Sequence, residues 1–260
     1  MEKISVDIPA EGGLADAYLV VPDGDGPFRT VLLYMDAFGL RPRLREMADR
    51  IAAQGYAVLV PNLFYRAGPA PLVDMSDLAT PEGRERTIGT VTPLVQGLTT
   101  ELLLRDTAAH LDFLESEKRV AKAPVAITGY CMGGRNAFKA IAAFPDRIKG
   151  VASFHGGGLV TGQPDSPHLA AHKVTGELYF GHADNDRSMT AEQIAELERT
   201  LDAAGVRYTS ELYEGAAHGY TMSDTASYNE AAEQRHWEVL IPFLEKVLKS
   251  DQVRPAPADG

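Results

Sequence analysis

The chain holds one cysteine, and it stands in the stretch Ile-Thr-Gly-Tyr-Cys-Met-Gly-Gly, residues 127–134. A short apolar run precedes Cys131 and a helical pattern follows it. Gly129 and Gly133 flank the cysteine at two residues on either side, with Gly134 next. This is the spacing of a G-x-nucleophile-x-G turn between a strand and a helix. A side chain on such a turn projects clear of the sheet only if its own backbone is strained. The flanking positions then press on neighbouring backbone and favour glycine. The helix N-terminus behind the sulfur favours thiolate. It also leaves the N–H of Met132 free to donate to a developing oxyanion. The competing reading is a small buried hydrophobe beside packing glycines. The strand, helix and glycine pattern together favour the nucleophile.

A thiol nucleophile needs a base, and the base needs a group to orient it. In folds with this turn the chain order is nucleophile, acid, histidine. The stretch Leu-Tyr-Phe-Gly-His-Ala-Asp-Asn-Asp, 178–186, brings Asp184 and Asp186 to the end of an apolar strand. Sites in open α/β sheets form at that edge. Both carboxylates compete for the acid role. Asp184, closer to the strand end, is preferred. The stretch Tyr-Glu-Gly-Ala-Ala-His-Gly-Tyr, 213–220, follows the next strand and supplies His218, with Gly215 and Gly219 marking a tight turn.

Buried strands must carry these three side chains to one edge. Residues 3–9 and 14–22 read as an antiparallel hairpin around Glu11-Gly12-Gly13. Apolar runs at 30–35 and 56–61 read as strands buried on both faces, with a helix over 43–54 between them. Further strands are expected at 125–128, 149–155, 177–181 and 208–213. Helices are expected at 98–116, 132–143, 191–204 and 226–248, the last kinked or divided at Pro242. Alternating strands and amphipathic helices imply an α/β fold with a mostly parallel central sheet covered on both faces. Residues 62–97 show no clean period and read as an irregular, lid-like excursion from a single domain over 1–249. Residues 250–260 read as a disordered tail.

The stretches GYCMGG, GHAD and GAAHGY, with MDAFG at 35–39, resemble the dienelactone hydrolase (carboxymethylenebutenolidase) family of the α/β-hydrolase fold. The resemblance spans roughly Lys3 to Leu248. It implies Cys131 as nucleophile, His218 as base, Asp184 as acid and the N–H of Ala37 as a second oxyanion donor. It also exposes departures. In the best-known members a glutamate stands where this chain has Asp36, and it touches the resting thiol. Asp36 reaches roughly 1.5 Å less far, so it either still contacts Cys131 or only shapes the turn. Those members also hold a substrate carboxylate with arginines, one of them four residues after the histidine. That position is Met222 here. Arg84 and Arg86 are the candidates from the excursion. Without an arginine at 222 a carboxylate-bearing lactone lacks one bidentate partner, which points to a less charged ester. Phe38, Tyr65, Tyr130 and His155 are candidates either to line the pocket or to fill the core.

The expected activity is two-step hydrolysis of a small carboxylic ester or lactone with a good leaving group, through an acyl-enzyme. The alternatives are a redox-sensing or ligand-binding homologue without hydrolysis, and a thioester or carbon–carbon bond hydrolase. With 45% hydrophobic residues and a formal net charge of -11, the chain suits a globular fold that repels nucleic acid and anionic membranes. A lone cysteine, the lack of a signal-peptide pattern and the lack of an apolar run of about 20 residues point to a cytoplasmic setting. No cofactor is expected. Gly156-Gly157-Gly158 lacks the context of a dinucleotide fingerprint. His168 and His172, four apart, lack a third ligand, so no metal is expected. Monomer and homodimer both stay open.

Overall fold

The computed structural model describes residues 1–76, 78 and 80–249. The tail expected at 250–260 lies outside the described residues. Strands β1 (Glu2–Ala10) and β2 (Gly13–Val21) form the hairpin, in register from Glu2 opposite Val21 to Ala10 opposite Gly13. β2 pairs antiparallel with β4 (Ala57–Pro61). From there every pairing is parallel, through β3 (Thr30–Tyr34), β5 (Val125–Tyr130), β6 (Ile148–Phe154), β7 (Glu177–Ala183) and β8 (Arg207–Tyr213). The eight strands stand in the order β1-β2-β4-β3-β5-β6-β7-β8. β3, β4 and β5 are buried along their whole length, as their uninterrupted apolar runs require.

Helices cover both faces. Helices α1 (Pro42–Ala52) and α6 (Glu230–Lys249) share one side, where Arg50 stacks on Trp237 and Arg43 pairs with Glu233. On the other side α3 (Thr100–Ser116) packs on α4 (Met132–Ala143). Strand alternation sorts β6 between the two layers. Gly150 lies against Phe243 and Val247 of α6, and Phe154 against His236, whereas Ser153 faces Gly134 of α4. Helix α5 (Ala191–Ala203) begins at a capping box formed by Thr190 and Gln193.

Two expectations change. The excursion is more regular than its pattern suggests. After a single 3₁₀ turn at Tyr65–Ala67, helix α2 spans Pro81–Gly97. Its start is conventional: Pro81 opens the first turn, and the Thr80 side chain accepts from the N–H of Gly83 at 2.9 Å. Only Gly83 and Thr87 along it are buried, so no apolar stripe marks it in the sequence. The last helix begins at Glu230 rather than near 226 and runs through Pro242 without being divided. Among the described residues, no helix is long and apolar enough to cross a membrane.

Candidate active site

Cys131 follows the last residue of β5 and precedes the first of α4, with φ 55° and ψ -116°. Its N–H donates to the carbonyl of Phe154 at 3.1 Å, and its carbonyl accepts from the N–H of Gly134 at 3.1 Å. These bonds hold the strained turn between β6 and the first turn of α4. The glycines are steric necessities. A Cβ on Gly129 would fall 2.3 Å from the carbonyl oxygen of Gly133, and one on Gly133 would fall 2.3 Å from that of Tyr34. A Cβ on Gly134 would fall 2.2 Å from Oγ of Ser153. The thiol is half-buried. The N–H of Met132, first in α4, has no intrahelical acceptor to reach. Ala37 stands at the near end of a turn closed by the N–H of Gly39 on the carbonyl of Asp36 at 3.2 Å.

His218 meets Cys131 on one side and a carboxylate on the other, and that carboxylate belongs to Asp186. Nδ1 of His218 donates to Oδ2 of Asp186 at 2.6 Å. The other oxygen of Asp186 accepts from the N–H and Oγ of Ser188 at 2.8 and 2.7 Å. Asp186 is nearly buried; burial favours its neutral form, but the bonds from His218 and Ser188 outweigh this and hold its pKa below the usual carboxylate value. Burial likewise pulls the His218 imidazole down. The hydrogen bonds to Asp186 and Cys131, with their charges, hold it up at about 10. An imidazolium–carboxylate pair of His218 and Asp186 is therefore the favoured charge state.

Asp184, preferred from the sequence, is turned elsewhere. Its N–H donates to the carbonyl of Ala216 at 2.8 Å, and its Oδ2 accepts from the N–H of Gly215 at 2.9 Å. It closes the histidine loop onto β7. Asn185 then adopts φ 53°, reversing the chain so that the second carboxylate reaches the imidazole.

Asp36 does not turn to the thiol. Its oxygens take Nη1 and Nη2 of Arg41 at 2.7 and 3.0 Å, and one of them also accepts from the N–H of Phe38 at 3.0 Å. Arg41 continues to Asp224, with Nε and Nη2 at 2.6 and 3.1 Å. Both Arg41 and Asp36 are almost wholly buried. Burial opposes the guanidinium's charge, but Asp36 and Asp224 overcome it and raise its pKa. Arg41 thus clamps the loop of Ala37 to the loop of His218. Sequence reading missed it, since nothing in local spacing pairs Arg41 with a residue at 224.

The other candidates divide. Phe38 stands beside the clamp, its ring 5.6 Å from the Arg41 guanidinium. Tyr65 is occupied away from the thiol: its hydroxyl oxygen lies 2.6 Å from the Glu11 carbonyl oxygen and 2.9 Å from Oδ1 of Asp106. Tyr130 is fully buried, with its hydroxyl 2.9 Å from Nε2 of His236. Met222 is a core residue. Arg84 and Arg86 lie on the exposed surface of α2, Arg86 facing Asp74. His155 is buried, and its ring lies 5.4 Å from that of His218. His168 and His172 stand on a 3₁₀ helix, Pro167–Lys173, and bond separately to Ser166 and to the carbonyl of Leu169.

The sequence profile of the dienelactone hydrolase family matches residues 15–248. The chain belongs to the dienelactone hydrolase family. A Synechocystis relative named "Putative carboxymethylenebutenolidase" is 26% identical over 247 residues, covering 94% of this chain and 96% of its own. A carboxymethylenebutenolidase of Rhodococcus opacus is 25% identical, covering 89% of this chain and 86% of its own. Among solved structures, one from Klebsiella pneumoniae described as a "Putative Dienelactone Hydrolase" superposes with a TM-score of 0.80 at 22% identity, over 95% of this chain and 100% of that one. The fold is the α/β-hydrolase fold, with the hairpin at its edge as expected. A dienelactone hydrolase is by name a hydrolase of a cyclic carboxylic ester, so family and expected enzyme class, carboxylic ester hydrolase, agree.

Proposed function

We propose that this dienelactone hydrolase family member cleaves small carboxylic esters or lactones through an acyl-enzyme on Cys131. The observation that carries the reading is the strained Cys131 turn at the end of β5, with His218 held by Asp186 at the same sheet edge. The thiolate adds to the ester carbonyl, and the N–H groups of Met132 and Ala37 receive the oxyanion. The carbon–oxygen bond to the leaving group breaks, and the imidazolium of His218 gives its proton to the departing oxygen. Neutral His218, held by Asp186, then takes a proton from water. The resulting hydroxide attacks the thioester and expels thiolate, returning the imidazolium pair and releasing a carboxylic acid.

A tetrahedral intermediate expels thiolate more readily than alkoxide, so enol and aryl leaving groups are favoured over alkyl ones. Recognition of a substrate carboxylate is not built in at position 222, a core methionine, nor at Arg41, which both its carboxylate partners engage. Less charged esters are therefore the favoured class. Residues 71–75 of the excursion form one wall of a groove whose other walls include Arg41, Arg43 and Asp224.

The test is a chromogenic aryl ester with mass spectrometry of the intact chain. A product burst, a mass gain on Cys131 and loss of turnover in Cys131→Ala and His218→Ala support acyl transfer. Full turnover in His218→Ala would end the proposed mechanism, and no turnover in the parent would favour a redox or binding role for the thiol. Paired esters with and without a carboxylate then read the charge preference, and a strong gain from the carboxylate contradicts it.

A further inference from the structure

Among the described residues, three that are not glycine adopt positive φ: Cys131, His155 and Asn185. They stand just beyond the C-terminal ends of the neighbouring strands β5, β6 and β7. Cys131 is the expected nucleophile, and Asn185 turns the chain toward Asp186. His155, at φ 40°, has no role in the reaction as written above. A buried histidine in this conformation persists only when its surroundings hold it there.

Those surroundings are specific. The N–H of His155 donates to the carbonyl of Gly181 at 2.8 Å, extending the β6–β7 ladder by one bond. Nε2 lies 2.8 Å from Oγ1 of Thr221, three residues beyond His218. The ring meets His218 edge-to-face at 5.4 Å and 68°, and Tyr220 at 4.9 Å and 80°. Nδ1 is buried without a hydrogen-bond partner. Tyr130 of β5 lies on another side, with ring centroids 6.0 Å apart. The charged and titratable groups around it are His218, Asp186, His236, Tyr220 and Tyr130. Burial, then the charges of His218 and His236, push its pKa well below the ordinary value against the pull of Asp186. The ring is neutral beside an imidazolium.

We propose that His155 is a positioning residue for His218. Its uncharged ring braces the His218 imidazole edge-on and, through Thr221, anchors the loop that carries it, so that one ring meets Cys131 and Asp186 together. The inference deepens the hydrolase reading and rests on it for the meaning of the alignment. A neutral ring suits the place, since a second cation there would repel the imidazolium on which the thiolate depends.

The experiment compares the full-length chain with His155→Phe, which keeps a ring and loses the bond, and with Thr221→Val, which loses only the hydroxyl. Thr221→Ser restores a hydroxyl. Two readouts are taken: kcat and KM on an aryl ester, and the rate of Cys131 alkylation by iodoacetamide against pH. Loss of alignment is expected to lower kcat by about 10- to 100-fold with KM within about twofold. The pH profile of alkylation should shift in His155→Phe and Thr221→Val, and Thr221→Ser should stay near the parent on both readouts. Parent-like kcat and alkylation profiles in folded His155→Phe and Thr221→Val overturn the proposal. If His155→Phe does not fold, the Thr221→Val and Thr221→Ser pair decides it. If the parent turns over no ester but its alkylation profile still shifts in Thr221→Val, the hydrolase reading fails while the positioning role stands.

Discussion

Oδ2 of Asp186 lies 2.6 Å from Nδ1 of His218, while Asp184, two residues earlier, gives its own Oδ2 to the N–H of Gly215 at 2.9 Å. Proximity to the strand end argued for the other assignment. The residue at the strand end is used to splice the histidine loop to β7, and the reversal at Asn185 delivers the next carboxylate to the ring.

Asp186→Asn should therefore lower kcat by a factor on the order of 10² to 10⁴, since an amide neither stabilises the imidazolium nor fixes its tautomer. Asp184→Asn retains an acceptor for Gly215 and should cost no more than about threefold. Steady-state kinetics on one aryl ester separates the two, and the reverse ranking would return the acid role to Asp184.

His218 should titrate near pH 10 in the native chain, as followed by its imidazole NMR signals. Both Cys131 and Asp186 favour the charged ring, so Cys131→Ala and Asp186→Asn must each lower that midpoint. Because the folded pKa stands above the ordinary value, the pair's contribution to stability is complete below pH ~6.5 and disappears as pH climbs to about 10. A midpoint unmoved by Cys131→Ala would show that the thiol does not charge the ring.

Arg41→Met should destabilise the fold by roughly 3–5 kcal/mol, because it leaves the buried Asp36 carboxylate without its cation. Removing Asp224, a third exposed, leaves Arg41 still bound to Asp36 and should cost ~1 kcal/mol. Urea unfolding of Arg41→Met and Asp224→Ala tests the order. Equal losses would show that the clamp is not anchored on Asp36.

His110 lies wholly buried on α3, with neither ring nitrogen hydrogen-bonded among the described residues, and burial pushes its pKa down to about 4 against the pull of Asp106. The unfolded chain takes up a proton there below pH ~6.5 that the folded chain refuses until about pH 4, so stability falls with acidification across that window. His110→Met removes this site. It should shrink the stability difference between about pH 7 and about pH 4.5 by on the order of 2 kcal/mol. Equal pH slopes for both chains in denaturant titrations would refute it.

What the sequence alone determined is whatever rests on short-range sterics and periodicity. The glycines at 129, 133 and 134 announce the cysteine turn because a Cβ at any of them collides with backbone or a packed side chain. Apolar runs and helical spacing placed the strands, and the chain order placed His218 at their edge. The tertiary structure decided matters of direction and distance. It set Asp186 rather than Asp184 against His218 through one reversed residue, and turned Asp36 to Arg41 rather than to the thiol. It drew Asp224 to the same guanidinium from 183 residues away. It also sent Tyr65 and Tyr130 into hydrogen bonds remote in sequence, with Asp106 and His236. Local spacing cannot encode these, because a buried charge or hydroxyl must find its partner wherever the packed elements bring one within reach.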